Sequence, residues 1–171
     1  MREILFRAQR ENSGEWVEGY YACYTIPGKW KYAFTYHYIL QSNDEFLDDF
    51  NFYKINPHTL GQYTGLTDSN NKKIFEGDII RYCDWISYEC YQESLESPED
   101  YDGVVYDPDF RYGLIVYKIE AFSGFDMTNH DFDFDYNGLS ELMCSGKFVY
   151  EVVGNIYDNS GLLEGGENNN N

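Results

Sequence analysis

The sequence predicts a mainly β protein, a β-rich α+β fold arranged as a small antiparallel barrel or paired sheets, with one or two short helices and an acidic insertion between strands. Three observations predict it. Aromatic residues make up 19% of the chain, short runs concentrate aromatic and β-branched residues, and clusters of turn formers separate those runs at short intervals. A chain of 171 residues suits one ordinary domain with a real core. We read one domain over residues 1–163, with the acidic segment 84–136 inside it, followed by a disordered tail, 164–171, that holds no apolar residue.

The elements follow in order. Ile4, Phe6 and Ala8 alternate with Leu5, Arg7 and Gln9, and Glu11-Asn-Ser-Gly14 closes the run, so a strand leads into a hairpin turn. Residues 16–24 and 30–40 read as two paired strands around the turn dipeptide Pro27-Gly28. Ser42, placed before Asp44, Glu45, Phe46, Leu47 and Phe50, offers an N-cap and a short helix. Residues 62–66 and 73–75 flank Thr67-Asp-Ser-Asn-Asn71, a polar cluster rich in residues that tolerate the left-handed conformation, and this predicts a hairpin. Residues 79–82, 103–106, 112–119 and 147–153 read as further strands, the second and third joined across Asp107-Pro-Asp109. Between them, residues 87–98 show too little periodicity to assign, and the acidic run to Asp102 reads as an exposed loop. Leu139, Leu142 and Met143, followed by Gly146, mark a two-turn helix over residues 137–146.

Charge narrows the function. Twelve Lys and Arg stand against 30 Asp and Glu, a net of −18, so bare nucleic acid and anionic membrane surfaces repel the chain on average. No apolar run approaches the roughly 20 residues that span a bilayer, and the sequence reads as that of a soluble, unsecreted protein. Residues 84–136 hold fourteen acids and two bases, a net of −12, or two thirds of the total. Within them, Asp131-Phe-Asp-Phe-Asp-Tyr136 alternates acid with ring, which predicts a half-buried strand showing carboxylates on one face about 6.7 Å apart. Two such neighbouring rows approach the charge density of a nucleic-acid strand, roughly one phosphate per 3.4 Å. The candidate partner-binding residues are therefore Asp100, Asp102, Asp107, Asp109, Asp126, Asp131, Asp133 and Asp135.

Catalytic and metal chemistry lack their usual signals. Cys23, Cys83, Cys90 and Cys144 have no C-x2-4-C spacing, and His37, His58 and His130 form no H-E-x-x-H unit. An EF-hand frame starting at Asp131 fails at its glycine and at its final glutamate, where Tyr136 and Leu142 stand. No nucleophile elbow, Walker loop or dinucleotide fingerprint is present. The expectation is a non-enzymatic protein with neither cofactor nor metal.

One stretch resembles a known family. His58-Thr-Leu-Gly-Gln-Tyr-Thr-Gly-Leu-Thr-Asp-Ser-Asn-Asn-Lys-Lys-Ile-Phe-Glu-Gly-Asp-Ile-Ile80 is similar to the central signature of the YopX family of phage and prophage proteins. Arg2-Glu-Ile-Leu-Phe-Arg-Ala8 is similar to its opening strand, and Glu151-Val-Val-Gly-Asn-Ile-Tyr-Asp158 to its closing segment. The acidic, Tyr-rich segment 84–136 departs from that pattern. The resemblance implies a phage-encoded, soluble, largely β protein of the bacterial cytoplasm, and it implies no reaction. In the signature itself, Gly61, Gly65 and Gly77 read as turn or bulge positions, and Tyr63, Leu66, Ile74, Phe75 and Ile79 as core.

The reading that joins charge to family is a nucleic-acid mimic. The acidic, aromatic surface would occupy the basic groove of a host defence protein such as a restriction or CRISPR nuclease, carboxylates replacing phosphates and rings replacing stacked bases. Alternatives from other classes are a self-assembling structural or regulatory β module and a small-ligand binder with an aromatic pocket. The 18 Tyr, 12 Phe and 3 Trp exceed what a small core holds, which predicts a homo-oligomer.

Overall fold

The computed structural model describes residues 4–28, 33–42, 50–108, 110–117, 125–127 and 143–163. The alternating N-terminal run forms β1 (Phe6–Gln9), which turns at residues 11–14 into β2 (Trp16–Pro27); β3 (Ala33–Ser42), β4 (Phe50–Lys54) and β5 (Gly61–Thr67) follow. Gly14 takes φ +70°, the conformation that favours glycine at this hairpin tip. The strand order is β4-β3-β2-β1-β5. Its pairs are antiparallel, with Ala8 opposite Val17 and Tyr21 opposite Ile39. Period two sends Ala8, Val17 and Ile39 to one face, where they bury with Ile55 against Phe6, Tyr21, Tyr53 and Leu60. Gly19 lies so close to the Leu40 carbonyl that a Cβ would overlap it, so the β2–β3 pair depends on glycine there.

Residues 1–65 and 66–171 are two compact units. The second contains β6 (Lys73–Phe75), β7 (Asp78–Asp84), helix α1 (Trp85–Glu96), β8 (Arg111–Tyr117), β9 (Phe125–Met127) and β10 (Phe148–Asn155). Its sheet has the order β10-β7-β8-β9, again antiparallel. Ile80, Tyr82, Tyr150 and Val152 occupy one face of the central pair and bury with Ile74, Ile115 and Met127. The other face, with Arg81 opposite Glu151, lies under α1. Coverage of both faces explains why β7 is buried almost throughout rather than at alternate positions.

Two turns of the signature fix this unit. The Asp68 carboxylate is buried and accepts three backbone N–H groups, those of Asn70 and Lys72 in its own turn and that of Val152 on β10. Asn71 takes φ +62°, the left-handed conformation expected of this Asn-rich cluster. Next, Gly77 at φ +85° donates its N–H to Ile115 and accepts from Ile156, while buried Asp78 accepts the Phe75 N–H.

The fold class is therefore mainly β in two antiparallel sheets, with one α-helix among the described residues, and the described strands close no barrel. Tyr63, Ile74, Phe75 and Ile79 are buried as expected, and Leu66 is half-buried. Three local expectations are corrected. Residues 85–96 form α1 where no regular element was expected, and Pro98–Tyr101 is a 3-10 turn. Residues 103–106 are not a strand, because the Tyr106 N–H goes to the Ser94 hydroxyl and that of Val104 to the Tyr101 carbonyl instead of a ladder. β4 and β9 were not anticipated. The expected helix after Ser42, the strand at residues 131–136, most of the helix at 137–146 and the tail at 164–171 lie outside the described residues. Residues 143–146 of the second expected helix are described, and Gly146 there has φ +65°.

Candidate functional site

Asp84 starts α1. Its backbone is extended, its carboxylate accepts the Ser87 N–H at 2.9 Å and the Ser87 hydroxyl at 2.7 Å, and these bonds hold its pKa below the ordinary 3.8. Once the helix is started, its 3.6-residue period sorts the side chains. Ser94 faces inward and is buried, and Ser87, Tyr88 and Tyr91 are half-buried. Glu89, Glu93 and Glu96, spaced i, i+4, i+7, share the exposed face with Trp85 and Ile86.

The inner face is tied down by a polar and aromatic cluster. Arg81 donates to Glu151 through its Nε at 3.0 Å and also through a terminal nitrogen, and the Tyr88 hydroxyl donates to the other Glu151 oxygen at 3.1 Å. The Arg81 guanidinium stacks 4.0 Å from the Phe110 ring, which Tyr91 meets edge-on at 5.5 Å. Desolvation pushes the Tyr88 hydroxyl above its usual value, and the Glu151 charge adds to the effect. The helix is anchored from below, so its acidic face is held outward.

Two of the exposed carboxylates, those of Glu89 and Glu93, are positioned by neutral donors. The Trp85 Nε1–H donates to Glu89 at 2.8 Å and the Tyr101 hydroxyl to Glu93 at 3.1 Å. Such bonds fix a carboxylate without cancelling its charge. Glu89, Glu93 and Glu96 form no ion pair among the described residues; the described ion pairs are those of Arg10 with Glu15, Lys54 with Glu11 and Arg81 with Glu151. From Asp84 to Pro108 the chain has eight acids and neither Lys nor Arg.

Of the eight candidate partner-binding residues, the structure brings two together. Asp100 ends up exposed in the 3-10 turn after α1, and Asp102, also exposed, caps that turn with φ +53°. Asp107 is exposed in the following segment. Asp126 pairs with Val116 across β8 and β9 and is described at its backbone alone. Asp109, Asp131, Asp133 and Asp135 lie outside the described residues. The row Glu89, Glu93, Glu96 was missed as a unit. Its i, i+4, i+7 spacing behind an Asp84-x-x-Ser87 cap was the available signal.

A cleft of about 300 Å³ opens beside the start of α1, lined by Tyr82, Cys83, Asp84, Tyr106, Arg111 and Phe148 among others. Cys83 is buried there, and desolvation with the nearby Asp84 and Glu151 charges pushes its thiol from 9.0 up to about 11. It is therefore a neutral thiol at physiological pH, poorly suited to nucleophilic attack. All four cysteines are free. Among the described residues, no three His, Cys, Asp or Glu side chains converge to hold a metal ion, and no helix is long and apolar enough to cross a membrane.

Comparison with known proteins adds the following. The family model described as YopX protein matches residues 5–164. No curated protein matches the chain. The crystal structure of protein EF1440 from Enterococcus faecalis is similar at 20% identity, covers 95% of this chain and 99% of that one, and gives a TM-score of 0.41.

Proposed function

The chain belongs to the YopX family, and from that premise we propose that it is a non-enzymatic phage accessory protein whose acidic helix surface occupies the basic groove of a host nucleic-acid-binding defence protein, a restriction or CRISPR nuclease. One observation supports this above the others: the outward row Glu89, Glu93 and Glu96, with Asp100 and Asp102 following it, in a stretch of 25 residues free of Lys and Arg. At about 1.5 Å of helix rise per residue, the row places a carboxylate roughly every 5 Å. That is about two thirds of the density of phosphates along one DNA strand, at roughly one per 3.4 Å. Trp85 and Ile86 on the same face supply the apolar contact that a base would give.

The positioning by Trp85 and Tyr101 matters to this reading. Glu89 and Glu93, already held by these donors, lose less side-chain freedom on binding than solvated glutamates would. The test is competition. Purified restriction and CRISPR nucleases are bound to labelled DNA and the chain is titrated in; DNA should be displaced by the wild type, less so as salt rises. A variant with Glu89→Gln, Glu93→Gln and Glu96→Gln should lose at least tenfold in potency and show a shallower dependence on log salt, since fewer counter-ions of the nuclease are released. No displacement from any nuclease, or equal displacement by the neutralised variant, overturns the reading.

A further inference from the structure

The sheet of residues 1–65 has two faces, and the core described above uses one of them. On the other face the register aligns Tyr20 with Leu40 and Phe52, Ala22 with Tyr38 and Lys54, Tyr24 with Tyr36, and Ile26 with Phe34. This face is almost wholly apolar, yet it is open to solvent. Tyr20 is 54% exposed, Tyr24 51%, Ile26 47%, Phe34 59%, Phe50 37% and Phe52 64%. Tyr24 already stacks on Tyr36 and Tyr38 at 5.3 and 5.9 Å, so the rings form a packed ladder rather than scattered side chains. Contiguous apolar surface of this kind marks an interaction site.

We propose that this face of β2, β3 and β4 is the interface through which two copies of the chain associate. Area is the first argument. With roughly 200 Å² for a whole large side chain, those six residues leave about 600 Å² uncovered on each copy, or about 1,200 Å² in a pair. Stable interfaces begin at about that total, and the half-buried Tyr36, Tyr38 and Leu40 add to it. Charge is the second. Residues 1–65 hold six bases and eight acids, whereas residues 66–171 hold six and 22. A basic partner is drawn to the second set, and a strongly acidic one is repelled by the whole chain. The three strands themselves contribute Glu18 and Lys54 to the outward face, and Lys54 is already paired with Glu11 at 2.5 Å. A neutral aromatic face is matched by a second copy of itself. Two sheets stacked face to face at about −30° interdigitate such rings in a twofold, self-complementary contact.

The inference stands apart from the nuclease reading, and salt separates the two. Like-charged chains that meet through an apolar face associate more tightly as salt screens their repulsion, whereas carboxylate binding to a basic groove weakens. Sedimentation velocity at tens of micromolar should give the wild type twice the 20.1 kDa of one chain, with the dimer fraction rising with salt. A Phe34→Glu, Phe52→Glu variant should sediment as one chain with an unchanged far-ultraviolet spectrum. Hydroxyl-radical labelling needs no substitution: oxidation of Tyr20, Tyr24 and Phe52 in the wild type should fall several-fold as concentration passes the dissociation constant. A wild-type monomer at every salt concentration, a folded variant that stays dimeric, or ring oxidation independent of concentration overturns the proposal. A monomer that buries the same rings on adding a different protein would assign the face to that partner instead.

Discussion

Asp68 shows how much of this fold one side chain can hold. Its Oδ1 closes the turn by accepting the Asn70 and Lys72 N–H groups at 2.8 and 2.9 Å, and its Oδ2 reaches β10 through the Val152 N–H at 2.9 Å. Asp68→Asn keeps an oxygen for the turn but turns an amide nitrogen toward the Val152 N–H, donor against donor, in a buried place. We expect a loss of about 2 kcal/mol, and more for Asp68→Ala, which strands three donors; urea denaturation of the two variants checks both the size and the order. The turn at residues 67–71 was legible because Asn and Asp tolerate the left-handed conformation that Asn71 adopts. The bond to Val152 was not. It joins residues 84 apart, and nothing local in either segment encodes it.

Helix α1 was illegible for a physical reason. The surface beneath it is the Arg81–Glu151 pair with Phe110, so its inner side carries Ser87, Tyr88, Tyr91 and Ser94 in place of Leu and Ile. Apolar periodicity, the usual helix signal, is missing where the covered face is itself polar. The 3.6-residue period is written instead in its glutamates. The strand expected at residues 103–106 failed in the opposite way: Val-Val-Tyr has strand composition, but its N–H groups are taken by α1 and the 3-10 turn. What starts α1 is the Asp84 cap, and its removal is a defined test. Asp84→Ala should cost about 1 kcal/mol at neutral pH. Because the bonds from Ser87 depress the carboxyl pKa in the folded state, the contribution is present above the unfolded value near 3.8 and disappears as pH falls through the folded value. Stability of the wild type and the variant should therefore converge as pH falls through the folded value. A gap that persists in acid would show that the side chain acts there by packing and not as a charged cap.

At the scale of the whole molecule, the partition of charge decides how each part answers to salt. The uneven distribution was legible from composition alone, but its expression as one outward helix row needed the element that composition could not show. Residues 66–171 are sixteen charges negative and residues 1–65 two, so self-repulsion acts almost wholly on the second set. Raising salt from about 0.01 to about 1 M shortens the Debye length from about 30 to about 3 Å and removes most repulsion between surface carboxylates. Amide hydrogen exchange should slow with salt in β7, β8 and β10, and change little in β1, β2 and β3. The measurement belongs in the Phe34→Glu, Phe52→Glu background, where association through the aromatic face cannot add protection of its own. If both sets of strands respond alike, the acids of residues 84–136 do not burden the folded state. The charge of α1 would then be neutralised within the chain, and its carboxylates would have little left to offer a basic groove.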